Sequence, residues 1–114
     1  MQIVLIEDSE ELRWLISYIL RDEGHAVIEV GDRFHDVLAR PFWDGVDGAV
    51  VDLSLADDFS GVSILRWLAE QYPDIKRVAF TVYLPGEGDY DEAAKYAPVV
   101  SKMDLGRRLC EAFQ

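Results

Sequence analysis

The stretch Ala49-Val50-Val51-Asp52-Leu53-Ser54-Leu55 is an apolar run with a single carboxylate set in it. Short runs rich in Val and Leu read as strands buried on both faces. Asp52 then stands where such a strand leaves its sheet. In an open α/β sheet, ligands bind at the carboxyl ends of the strands. Other strand-like runs end in the same manner. Ile3-Val4-Leu5-Ile6 runs into Glu7-Asp8, Val78-Ala79-Phe80 into Thr81, and Pro98-Val99-Val100-Ser101 into Lys102. If these strands lie parallel, three acids, a hydroxyl and an ammonium converge around Asp52.

The rest of the chain supports a parallel arrangement. Gln2 to Ile6 is the first strand. A helix opened by Asp8 or Ser9 follows, with Leu12, Leu15, Ile16, Ile19 and Leu20 on one apolar face. Asp8 with Glu11 has capping-box spacing, and Gly24 suits the left-handed residue after a helix end. Ala26 to Val30 is a second strand. Asp32 caps a short helix that buries Phe34, Val37 and Leu38 before Pro41, and Phe42 to Gly45 is a loop. The central strand runs from Val46 to Asp52. Ser60 caps a third helix with Ile64, Leu65, Leu68 and Tyr72 inward, ended by Pro73. Lys76 to Thr81 is the fourth strand. Pro85, Gly86 and Gly88 then interrupt the pattern, leaving about two helical turns over Asp89 to Tyr96, with Asp89 as cap and Glu92 behind it. Val99 to Ser101 is the fifth strand. Asp104 opens a last helix with Leu105, Leu109 and Phe113 inward. Strands alternating with helices imply an α/β fold: a parallel sheet with helices on both faces.

A chain of 114 residues is expected to be one domain, 1–114, with a single core and no second domain after the last helix. It carries 22 acidic and 11 basic residues, a formal net charge of −11. That excess argues against direct nucleic-acid binding, which needs Lys and Arg, and against adhesion to anionic membranes. It suits a metal cation or a basic partner, and otherwise serves solubility. Cys110 is the only cysteine, so no internal disulfide forms, which fits a reducing cytoplasm. No segment resembles a secretory leader, and no run approaches membrane-spanning length.

With these residues in view, the chain resembles the receiver domains of two-component response regulators, over nearly its whole length. The acidic pair Glu7-Asp8 closes the first strand, Asp52 the third and Thr81 the fourth, and Lys102 follows the fifth. The separations are 44 residues from Asp8 to Asp52, 29 from Asp52 to Thr81 and 21 from Thr81 to Lys102. The resemblance implies a flavodoxin-like, five-stranded parallel sheet of order 2-1-3-4-5, here with a short or irregular fourth helix. It implies that Asp52 accepts a phosphoryl group from a histidine kinase or a histidine phosphotransfer protein. Mg²⁺ would be held by Asp8, Asp52 and the Ser54 backbone carbonyl, with Glu7 directly or through water. A hard cation suits crowded carboxylates. Lys102 would pair with Asp52 and then with a phosphoryl oxygen, and Thr81 would turn inward to bond another. The chain would act as a stand-alone cytoplasmic receiver, a monomer or weak homodimer, signalling through phospho-dependent contacts with a downstream protein. It would not be a turnover enzyme.

The chain also departs from that pattern. Val82 stands where the family has a small residue beside the phosphoryl group. Val99 stands where an aromatic switch residue is usual, with Tyr83, beside Val82, as the candidate substitute. Met103 replaces a proline after the lysine. Ser54 and Tyr83 occupy positions that tune acyl-phosphate lifetime. Val82, Val99 and the irregular fourth helix support a second expectation, a pseudo-receiver used as a protein-interaction module without phosphorylation. Trp14 and Tyr18, one helical turn apart, are expected to cover the core edge, or if exposed to contact a partner. His25 and His35 lack metal-ligand spacing, and Cys110 reads as a core-edge residue. A flavodoxin would need a phosphate loop after the first strand, where Glu7-Asp8-Ser9-Glu10 would repel phosphate. A haloacid-dehalogenase-type phosphatase would need an Asp-x-Asp pair there, which is absent.

Overall fold

Strands form where the sequence is apolar and branched: Gln2–Ile6 (β1), Ala26–Val30 (β2), Gly48–Asp52 (β3), Lys76–Thr81 (β4) and Val99–Ser101 (β5). The computed structural model describes residues 1–31, 40–53 and 61–114. All strand pairs are parallel and the sheet order is β2-β1-β3-β4-β5. Among the described residues the helices are Glu10–Asp22 (α1), Gly61–Gln71 (α2), Tyr90–Ala93 (α3) and Leu105–Ala112 (α4). The helix expected after Asp32, His35, the Ser54 position and the Ser60 cap lie outside the described residues.

Side chains alternate across a strand, so each strand feeds two cores. Val4, Ile6, Ala49, Val51 and Ala79 face one way and pack with Ile64, Leu65 and Leu68 of α2 and Ala93 of α3. Ile3, Leu5, Val50, Val78, Phe80 and Val100 face the other way, against Ile16 and Leu20 of α1 and Leu105, Leu109 and Phe113 at the C-terminus. Every residue of β3 is buried, as the central strand of a doubly covered sheet must be. Each fully buried Leu, Ile or Val contributes roughly 1.5–3 kcal/mol. Gly48 is required where it stands, because a Cβ there would lie 2.5 Å from the Phe113 ring.

The structure corrects several local expectations. The central strand starts at Gly48 rather than Val46, because the Val46 N–H is bonded to the Trp43 carbonyl (3.1 Å). Ser9, not Asp8, caps α1, its hydroxyl accepting from the Leu12 N–H (3.4 Å). Leu15 is 41% exposed rather than inward. Trp14 and Tyr18 do not cover the core edge: they are 68% and 60% exposed and stack on one another, with ring centroids 5.8 Å apart. A 3₁₀ turn, Arg40–Trp43, runs into the loop expected over Phe42 to Gly45. It drives Trp43 into the core beside Trp67 and Tyr72. The helix expected over Asp89 to Tyr96 is regular only from Tyr90 to Ala93, and Asp89 makes no side-chain cap bond. Gly86 and Gly88, both at positive φ, turn the chain just before it. No helix among the described residues is long and apolar enough to cross a membrane.

Candidate functional site

Register brings the polar strand ends together. Ile6 of β1 pairs with Val51 of β3, so Glu7 arrives level with Asp52. Asp52 pairs with Phe80, which puts Thr81 one step beyond. Thr81 in turn pairs with Ser101, and Lys102 follows. Because every pair is parallel, all of these groups emerge at one edge. The site is tightly enclosed: Glu7 and Asp52 are each 1% exposed and Thr81 is fully buried. Asp8 is solvent-accessible.

Glu7, Asp8 and Asp52 each offer a carboxylate oxygen, all within 4.8 Å of one another. The Lys102 ammonium lies 3.4 Å from Asp52 Oδ2 and 3.9 Å from Glu7 Oε2. It sits over the Phe80 ring, 5.2 Å from the centroid, where the aromatic face adds to its attraction. Three carboxylates face one ammonium, so the cluster has an excess of negative charge in a largely buried place. The strain shows at Glu7. Burial, chiefly, together with a proton shared toward Asp52 and repulsion from that carboxylate, pushes the Glu7 carboxyl up to about 8. The Ser9 amide and Lys102 pull it the other way.

Almost every polar atom of Glu7 is used. Its N–H donates to the Val30 carbonyl (3.1 Å). Its carbonyl accepts from Arg13 Nη1 (2.9 Å), and its Oε1 accepts from the Ser9 N–H (2.9 Å). As an anion, its Oε2 is left buried with no hydrogen-bond partner. A buried, unsatisfied carboxylate oxygen is costly unless something binds it. Here it opens on two further carboxylates, an all-oxygen donor set of the kind a hard divalent cation takes. The acidic cluster therefore fits a Mg²⁺ site.

The other sequence-selected residues fall into place unevenly. The Thr81 hydroxyl is engaged as an acceptor for the Tyr83 N–H (3.0 Å). Val82 is 65% exposed. The Tyr83 ring lies over Gly88, where a Cβ would come within 2.7 Å of it, and Val99 is half-buried against the core on the α2 side. Gly61 starts α2 so close to β3 that a Cβ there would collide with the Asp52 carbonyl oxygen. Sequence reasoning missed Arg13 and the use of Ser9 as a donor to Glu7. A signal for Arg13 did exist: a cation near a helix N-terminus opposes the helix dipole and needs another reason to be there.

No protein-family model and no curated protein matches the sequence. Solved structures do match. A CheY-like response regulator receiver domain from Methanospirillum hungatei JF-1 superposes with a TM-score of 0.81 at 22% identity, over 98% of this chain and 89% of that one. The chemotaxis protein CheY4 of Vibrio cholerae gives 0.82 at 19%, over 99% and 95%. The response regulator TrrA of Thermotoga maritima, in complex with Mg²⁺-BeF, gives 0.80 at 18%, over 98% and 96%. The chain has the receiver-domain fold. Glu7, Asp8 and Asp52 gather at the strand ends with Lys102 beside them. The α3 region is a single turn.

Proposed function

We propose that this chain is a response-regulator receiver whose phosphoacceptor is Asp52. The observation that supports it most is the Lys102–Asp52 pair set beside the unsatisfied Glu7 oxygen and Asp8. A carboxylate is ionised at neutral pH and needs no general base to act as a nucleophile. An Asp52 oxygen attacks the phosphorus of a phosphohistidine. The P–N bond breaks, a P–O bond forms, and the imidazole leaves and takes a proton from water. Lys102 moves its hydrogen bond from the carboxylate to a phosphoryl oxygen, and the Thr81 hydroxyl donates to another. Asp8, Asp52 and Glu7 would hold Mg²⁺, which when bound would neutralise charge on the phosphoryl oxygens. The complex of TrrA with Mg²⁺-BeF supports the same assignment. The donor would be a histidine kinase or phosphotransfer protein in the cytoplasm. The output would be a phosphorylation-dependent protein contact rather than catalytic turnover.

Two observations favour a second reading, a pseudo-receiver that binds partners without phosphorylation. The usual aromatic switch position is Val99, packed against the core, and the neighbouring helix is reduced to Tyr90–Ala93. Intact-protein mass after incubation with Mg²⁺ and acetyl phosphate separates the two. One phosphoryl adduct, absent in Asp52→Asn and abolished by chelator, is the expected result. No adduct and no Mg²⁺ binding would overturn the phosphoacceptor reading.

A further inference from the structure

Glu7 and Asp8 are adjacent, and adjacent residues in an extended strand point to opposite sides. Their carboxylates nevertheless converge with Asp52 within 4.8 Å. The chain must therefore leave strand geometry after Ile6, where β1 ends, and the peptide between the two acids must be held in a set orientation. Its donors and acceptors show how. The Glu7 N–H still follows the sheet, bonded to Val30. The Glu7 carbonyl is taken by Arg13 Nη1 at 2.9 Å. The guanidinium that makes this bond is seated against Gly31. A Cβ on Gly31 would lie 2.7 Å from Nη1 and 3.0 Å from Cζ, so the absence of a side chain there makes room for it.

We infer that Arg13 is a positioning residue of the acidic site: seated against Gly31 and bonded to the Glu7 carbonyl, it orients the Glu7–Asp8 peptide so that both carboxylates face one cation. It touches neither the metal nor the phosphoryl group. It acts through Glu7, as outer groups around a metal orient the ligands themselves. This deepens the receiver reading and rests on it for the identity of the cation.

The test compares wild type with Arg13→Met, which keeps the apolar stem, Arg13→Lys, which restores one donor, and Gly31→Ala, which displaces the guanidinium from the other side. Mg²⁺ affinity is measured by calorimetry. Hydrogen exchange of the Ser9 amide, which donates to Glu7 Oε1, is followed beside the Leu20 amide deep in α1. Arg13→Met is expected to weaken Mg²⁺ binding about tenfold and to speed Ser9 exchange while leaving Leu20 protected. Arg13→Lys and Gly31→Ala should fall between. Unchanged affinity and unchanged Ser9 exchange in a folded Arg13→Met would overturn the inference. If Arg13→Met fails to fold, Gly31→Ala carries the same two readouts with the same decision. If wild type binds no Mg²⁺, the receiver reading fails separately. Faster Ser9 exchange in the variants then still supports the positioning role, and unchanged exchange overturns it.

Discussion

The two halves of the strand-end edge are built differently. On the β1–β3 side, the Glu7 and Asp52 carboxyls are buried and anchored: Glu7 by Val30, Ser9 and Arg13, and Asp52 by Lys102. On the β4–β5 side beyond Thr81, Val82 and Leu84 are each 65% exposed and Met103 is 91% exposed. The helix there is four residues long. Buried charge tolerates little displacement, because an unpaired buried ion costs several kcal/mol. An exposed loop has no such constraint. Glu7 and Asp52, at the centre of the proposed chemistry, are thus tightly specified, and the exposed residues that would report it are not.

The sharpest break of this contrast is Asp52→Asn. It removes the proposed nucleophile and one of the three carboxylates, and it should abolish the phosphoryl adduct entirely. An adduct that persists in the variant would place the acceptor elsewhere. Lys102→Met comes next. Loss of the charged hydrogen bond to Asp52 should cost about 1.5–3 kcal/mol in urea unfolding of the metal-free protein, while Mg²⁺ binding tightens because a competing cation is gone. Weaker Mg²⁺ binding would show that Lys102 holds the carboxylates in place rather than competing for them.

Acid–base behaviour should be confined to the β1–β3 side. The Glu7 carboxyl is raised from its ordinary 4.5 to about 8 by burial first. The folded state therefore keeps a proton that the unfolded chain releases. Stability from this group is complete below about pH 4.5 and is lost as pH rises through about 8. In chelator, wild type should lose stability across that window and Glu7→Gln should lose less. Saturating Mg²⁺ should flatten the wild-type slope by favouring the ionised form. Equal slopes for the two proteins would remove Glu7 as the source.

The smallest effects belong to the other side. Thr81→Ala strips the Tyr83 N–H of its acceptor and should cost about 1 kcal/mol. Val82→Ala, at an exposed site, should change stability by no more than about 0.5 kcal/mol, yet should speed labelling by acetyl phosphate if its bulk shields Asp52. A large stability loss in Val82→Ala would show that this half is as constrained as the first.

Periodicity and strand-end chemistry were enough to set the five strands, the parallel sheet and the gathering of Glu7, Asp8, Asp52, Thr81 and Lys102. Those features are encoded locally: alternation, short apolar runs and the residue that closes each run depend on near neighbours. Other features depended on residues far apart in the chain. Nothing in the order of letters says that Arg13 reaches the Glu7 carbonyl, or that Gly31 makes room for it. Nor does it say that Trp43, written in a loop, fills the core while Trp14, written on an amphipathic helix, faces solvent. Packing decides these, because a side chain's burial depends on which elements close over it. The same limit applies at the site. The sequence by itself determined which groups meet at the edge of the sheet. The tertiary structure decided that one Glu7 oxygen is left buried without a hydrogen-bond partner, since that depends on every donor its surroundings supply to the others.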